Sequence, residues 1–143
     1  AAVLDGKLIV MGGYDGTQRL SSCERYDPAA NAWAAMLPMA SKRRACAAAV
    51  LDGKLIVVGG HNGTQALSSC ERYDPTTNAW AAMPPMASKR SNCTAAVLDG
   101  KLIVMGGYDG TQALSSCERY DPTTNAWEAM PPMASKREAC AAC

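Results

Sequence analysis

Six of the seven cysteines fall at two recurring places, Cys23, Cys70 and Cys117, then Cys46, Cys93 and Cys140, and the chain has a single histidine, His61. These residue types could hold a metal or pair a nucleophile with a base, but their spacing argues against both. A nucleophilic triad needs an imidazole oriented by a third group, and His61 lies in a loop whose other copies carry Tyr14 and Tyr108. The interval from Cys23 to Cys46 does not have the form of a zinc site. The one Cys-x-x-Cys pair, Cys140 and Cys143, has no histidine partners. The doublets Gly12-Gly13, Gly59-Gly60 and Gly106-Gly107 lack the following helix that a phosphate-cradling loop requires. Asn62-Gly63-Thr64 and Asn92-Cys93-Thr94 match the N-glycosylation pattern and are read as chance. No catalytic, metal or cofactor set emerges, and an enzyme is not expected.

The elements that would position these residues repeat. LDGKLIVMGGYDG at Leu4–Gly16 returns as LDGKLIVVGGHNG at Leu51–Gly63 and as LDGKLIVMGGYDG at Leu98–Gly110, at a period of 47 residues. A period of this length indicates a repeat architecture. The units are expected at 1–47, 48–94 and 95–141, with 142–143 opening the first strand of a next repeat. In the middle unit CAAAVL reads as a first strand and Asp52-Gly53 as a hairpin turn. KLIVV is apolar on both faces and reads as a strand buried on both sides. A third strand with Tyr73 near its end and a fourth carrying Trp80 follow, separated by DPTTN, a turn by composition. Strands are predicted near 46–51, 54–58, 67–73 and 79–83, and PPMASKR connects to the next unit. Four short antiparallel strands per unit describe one blade of an all-β propeller. Alanine on the first strand suits the crowded centre, and Trp and Tyr suit the outer strands, where blades splay.

These residues resemble the kelch repeat. The Gly-Gly doublet follows an apolar strand, a Tyr precedes Asp-Pro, and a Trp stands seven residues beyond that Tyr, as in Gly12-Gly13, Tyr26 and Trp33, Gly59-Gly60, Tyr73 and Trp80, and Gly106-Gly107, Tyr120 and Trp127. The closing Met-x-x-x-Arg at Met39–Arg43, Met86–Arg90 and Met133–Arg137 is similar to kelch as well. The resemblance implies a propeller of three four-stranded blades. It implies no activity, because function lives in sites grafted on folds. Copper oxidases with kelch-type propellers draw His and Tyr ligands from several blades, a set that one histidine does not supply.

The repeats differ from one another at few places. The resemblance puts the loop between second and third strands, and the blade-to-blade connection, on one end around the channel mouth, the face that protein-binding kelch proteins use. The expected partner-facing set is therefore Tyr14, Asp15, Arg19, Arg44, His61, Asn62, Ser91, Asn92, Tyr108, Asp109 and Glu138. The invariant Arg43, Arg90 and Arg137 are expected to hold blades together through Glu24, Glu71 and Glu118. The leading expectation is a non-enzymatic scaffold for a protein or peptide. The alternative is a purely structural, self-assembling repeat module, natural or engineered, with no ligand.

Charge and composition bound the partners. Lys and Arg outnumber Asp and Glu by six to four in the first unit and four to three in the second, and trail by four to six in the third. No basic footprint points to nucleic acid, and no apolar run reaches membrane-spanning length. Cysteines in strand-like settings read as reduced and buried, which places the chain in the cytoplasm. The missing initiator Met points to trimming or excision from something longer. Three blades leave two open flanks, so a head-to-tail homodimer closing a six-bladed ring is expected, the basic first repeat meeting the acidic third of the other copy.

Overall fold

The Asp-Gly pairs decide where each unit first turns back. Asp5 and Gly6 take φ of 50° and 72°, Asp52 and Gly53 51° and 71°, and Asp99 and Gly100 52° and 71°. Two successive left-handed residues make the tight hairpin whose twist matches its strands. A computed structural model of the chain describes residues 1–142. β1 (Ala2–Leu4), β2 (Lys7–Met11), β3 (Cys23–Asp27) and β4 (Ala32–Met36) form the first blade. The second is β5 (Ala47–Leu51), β6 (Lys54–Val58), β7 (Cys70–Asp74) and β8 (Ala79–Met83), and the third β9 (Thr94–Leu98), β10 (Lys101–Met105), β11 (Cys117–Asp121) and β12 (Ala126–Met130). Each sheet is an antiparallel meander in chain order, and the described residues contain no helix.

The third strand starts later than the sequence predicts, at Cys70 rather than residue 67. The preceding backbone is engaged elsewhere: Leu67 N–H donates to Gly60 O at 2.8 Å, and Ser68 O accepts from Met86 N–H at 2.9 Å. The turn after each third strand explains the Tyr–Asp–Asn–Trp pattern. Asp27, Asp74 and Asp121 accept from the backbone of Ala29, Thr76 and Thr123, each at 2.9 Å. Tyr26, Tyr73 and Tyr120 donate their hydroxyls to Asn31, Asn78 and Asn125 at 2.6, 2.7 and 2.5 Å. Each Tyr ring packs on the Trp opposite it, with centroids 5.4 Å apart.

Blades converge on their alanine-rich first strands, where β5 packs against both β1 and β9. Two apolar clusters fill the inter-blade spaces. One joins Leu4, Ile9, Met11 and Met39 of the first blade to Leu55, Val57 and Tyr73 of the second. The other joins Leu51, Ile56, Val58 and Met86 to Leu102, Val104 and Tyr120.

A buried ion pair locks each junction. Arg43 is fully buried, and its Nε and Nη2 both lie 2.9 Å from Glu71 Oε2. Its Nη1 donates to Gly59 O at 2.7 Å and Ser69 O at 2.9 Å, and Nη2 also reaches Ser69 Oγ at 2.9 Å. Glu71 accepts in turn from Ala40 N–H at 2.6 Å. Arg90 and Glu118 repeat this arrangement between the second and third blades, bonding Gly106 O, Ser116 and Ala87 N–H. Such a pair holds only when the geometry satisfies nearly every donor and acceptor, as here. The doublet glycine belongs to the same lock. At Gly59, φ is 63° and a Cβ would fall on the carbonyl oxygen of Arg90.

Candidate binding face at the loop end

Each loop between second and third strands is closed from within. Asp15 Oδ1 accepts from Thr17 and Gln18 N–H at 2.8 Å, Asn62 Oδ1 from Thr64 and Gln65 at 2.9 and 3.0 Å, and Asp109 Oδ1 from Thr111 and Gln112 at 2.8 and 2.9 Å. These backbone donors hold the Asp15 and Asp109 carboxyls below the ordinary carboxylate range. Three of the partner-facing candidates therefore have a demonstrable structural task, the Asx turn, which Asn performs as well as Asp.

The connections between blades meet these loops. Arg44 and His61 exchange backbone hydrogen bonds at 3.0 and 2.8 Å, and Ser91 and Tyr108 do so at 2.9 and 2.7 Å. One residue further, Asn92 N–H donates to Ala45 O at 2.9 Å and Ala139 N–H to Asn92 O at 2.7 Å. Positions that differ between repeats thus become direct neighbours across blades. Tyr14 and Glu138 occupy the two ends of this series.

The side chains make an asymmetric surface. The guanidinium carbons of Arg19 and Arg44 lie 5.5 and 5.7 Å from the Tyr14 ring centroid, within cation–π range. Arg19 Nε is buried without a hydrogen-bond partner. His61 Nδ1 accepts from Gly63 N–H at 3.0 Å, so its Nε2 is the free end of the ring. Arg19, Arg44, His61, Ser91 and Asn92 line a cleft of about 170 Å³. The first blade brings Arg19 and Arg44 to this face together with Asp15, the second brings His61, Asn62, Ser91 and Asn92, and the third brings Tyr108, Asp109 and Glu138. The set divides accordingly: Arg19, Arg44, His61, Ser91 and Asn92 come together, Tyr14 stacks beside them, and Tyr108, Asp109 and Glu138 lie toward the far blade.

A larger groove of about 670 Å³ runs between the first and second blades, past Lys7, Arg25, Leu37 and Tyr73. Its sequence signal is Leu37, the one departure from Pro84 and Pro131 at that position. Burial pushes the Cys23 thiol up to about 11 and those of Cys70 and Cys93 to about 12, away from the thiolate that a nucleophile needs. Among the described residues, no group of three His, Cys, Asp or Glu is placed to hold a metal ion.

Four-stranded meanders converging on their first strands and clamped by recurrent Arg–Glu pairs define a β-propeller assembled from repeats. The family model of the Kelch motif matches residues 1–39, 42–87 and 89–134, and the chain belongs to the kelch-repeat family. It overlays the solved structure of YjhT with a TM-score of 0.72 at 18% identity, covering 87% of this chain and 51% of that one. Human Kelch-like protein 35 is 55% identical over 38 residues, 27% of this chain and 6% of that protein. Human Kelch-like protein 6 is 49% identical over 37 residues, 26% of this chain and again 6% of the relative. The matches thus span a small fraction of these curated relatives. Kelch repeats commonly serve as protein-interaction scaffolds.

Proposed function

We propose that the chain is a non-enzymatic scaffold that binds a protein or peptide through its loop end, in a ring that two copies close head to tail. The observation that carries the binding reading is the convergence of five of the eleven differing positions, in loops and connections bridged by backbone hydrogen bonds, on one end of otherwise near-identical blades. A surface with its loops already braced loses little entropy on binding. The mixture of Tyr, Arg, His and Asn suits recognition of a polar peptide. High thiol pKa values and an acceptor-occupied His61 Nδ1 support a role without catalysis. Free cysteines at repeat positions fit a reducing, cytoplasmic setting. The described residues contain no helix long and apolar enough to cross a membrane.

The test uses substitutions that one repeat borrows from another, so that the fold tolerates them. Wild type, His61→Tyr and Ser91→Arg are immobilised and challenged with lysate, and a captured protein is then titrated in purified form. The expected result is binding to wild type and at least tenfold weaker binding to each variant. A captured protein held equally by all three overturns the loop-end site. The near-identity of the repeats favours a second reading, a structural module without a ligand, and a wild type that captures nothing supports it.

A further inference from the structure

Every junction between blades is made of two unlike halves, and the chain carries one spare of each. The leading half of a blade offers a Glu, a glycine carbonyl, a serine and two apolar side chains of the second strand. In the second blade these are Glu71, Gly59, Ser69, Leu55 and Val57, all engaged by the first blade. In the first blade they are Glu24, Gly12, Ser22, Leu8 and Val10, and nothing covers them. Glu24 is exposed, and Leu8 and Val10 are 36% and 39% exposed where Leu55 and Val57 are 0%.

The trailing half offers an Arg on a Met-x-x-x-Arg arm and an apolar first-strand end. Arg137 and Leu98 are its spare copies. Arg137 is exposed where Arg43 and Arg90 are sealed, and Leu98 is 59% exposed where Leu4 and Leu51 are 5%. Trp33 completes the picture. Trp80 and Trp127 donate Nε1–H to Leu37 O and Pro84 O of the preceding blade, each at 2.8 Å. Trp33 is 51% exposed, and the corresponding carbonyl, Pro131 O, lies at the opposite flank.

We propose that the two spare halves mate between copies: Arg137 of one chain enters the socket of Glu24, Gly12 O and Ser22 on a second, and Trp33 donates to Pro131 O across the same seam. This rests on the two-copy reading above and gives it its chemistry. The occupant is a second copy of this chain because the two flanks carry complementary charges at the loop end. Within the chain, position 44 meets 61 and position 91 meets 108, so position 138 would meet position 14 of the other copy. That brings Glu138 to the Tyr14 ring, which two guanidinium groups already flank. The seam thus pairs an acid with two bases at places where the inner junctions have Ser91 and Arg44. Three blades also cover about half of the YjhT chain, an arc that a second copy completes.

Both groups stand exposed on the single chain, so Arg137→Met and Glu24→Gln leave its fold intact, which circular dichroism verifies. Sedimentation is measured on wild type, on each variant alone and on their equimolar mixture. Wild type is expected to run as two chains at tens of micromolar. Each variant alone puts an unmatched polar or charged group in both seams and is expected to associate at least a hundredfold more weakly. The mixture forms one native seam and one with both partners replaced, and it is expected to recover much of the association. Variants that associate as wild type does overturn this lock and leave the two-copy reading standing. A wild type that remains a single chain at a hundred micromolar overturns both and assigns the flanks to further blades or another protein. A mixture no stronger than its components overturns the Arg137–Glu24 pairing.

Discussion

Leu8 and Leu55 hold the same position in the same KLIV segment, yet one is 36% exposed and the other fully buried. Glu24 and Glu71, or Arg137 and Arg43, differ in the same way. The sequence around each pair is nearly identical, so nothing local accounts for the contrast. The inner junctions differ from the outer flanks only in having a neighbour. A kelch blade is therefore a two-sided adhesive unit, and its core lies between units more than within them, as repeat architectures require.

The largest test of this comparison places one substitution at both kinds of site. Arg43→Met strands Glu71 in a sealed space and is expected to cost about 3–5 kcal/mol of folding stability, read by urea unfolding at dilutions where chains do not associate. Arg137→Met, measured identically, is expected to change stability by less than about 0.5 kcal/mol. Equal losses at the two sites would show that the inner pairs do not bind blades together.

Alkali offers a second contrast. Cys23, Cys70 and Cys93 belong to the inner junctions, and burial raises their thiols above the unfolded value of 9.0, to about 11, 12 and 12. A raised folded pKa contributes stability that is fully present below pH 9 and drains away as pH rises toward the folded value. The loss is on the order of 1 kcal/mol per pH unit for each thiol. Melting temperature is expected to fall between pH 9 and 11, and less steeply in a Cys70→Ala, Cys93→Ala double variant. Identical slopes for the two proteins would exclude the thiols as the cause.

The smallest effect belongs to the indoles. Trp80→Phe removes a hydrogen bond to the preceding blade and is expected to cost about 1 kcal/mol beyond the same change at Trp33, which has no such acceptor within one chain. Thermal melts of the two variants, again at dilutions that keep chains apart, measure the difference.

Much of this architecture is legible in the sequence. The Asp-Gly hairpins, the alanine-rich inner strands and the placing of Tyr and Trp on the outer strands follow from residue types at fixed spacing, because each is a local demand on φ, volume or a turn. The start of the third strand was not legible. Leu67–Ser69 look like strand, but their backbone groups bond to the loop and to the incoming arm, partners distant in sequence. Of the candidate face, the loops and connections were placed together by the kelch resemblance. The Asx turns of Asp15, Asn62 and Asp109 needed the structure to reveal them, since an exposed Asp in a loop carries no mark of where its carboxylate points. The groove beside Leu37 was missed because it lies between blades, where no single repeat describes it.

By itself the sequence determined the repeat, its strands and turns, and the invariance of the arginines and glutamates that could pair. Only the tertiary structure decided that Arg43 pairs with Glu71 and Arg90 with Glu118, each one blade ahead, leaving Glu24 and Arg137 at opposite flanks. The reason is geometric. Local interactions fix the conformation of a blade, but an arm that leaves its own sheet can reach only the next one. Pairing is therefore shifted by one unit, and any finite run of blades ends with one half-junction unmatched on either side.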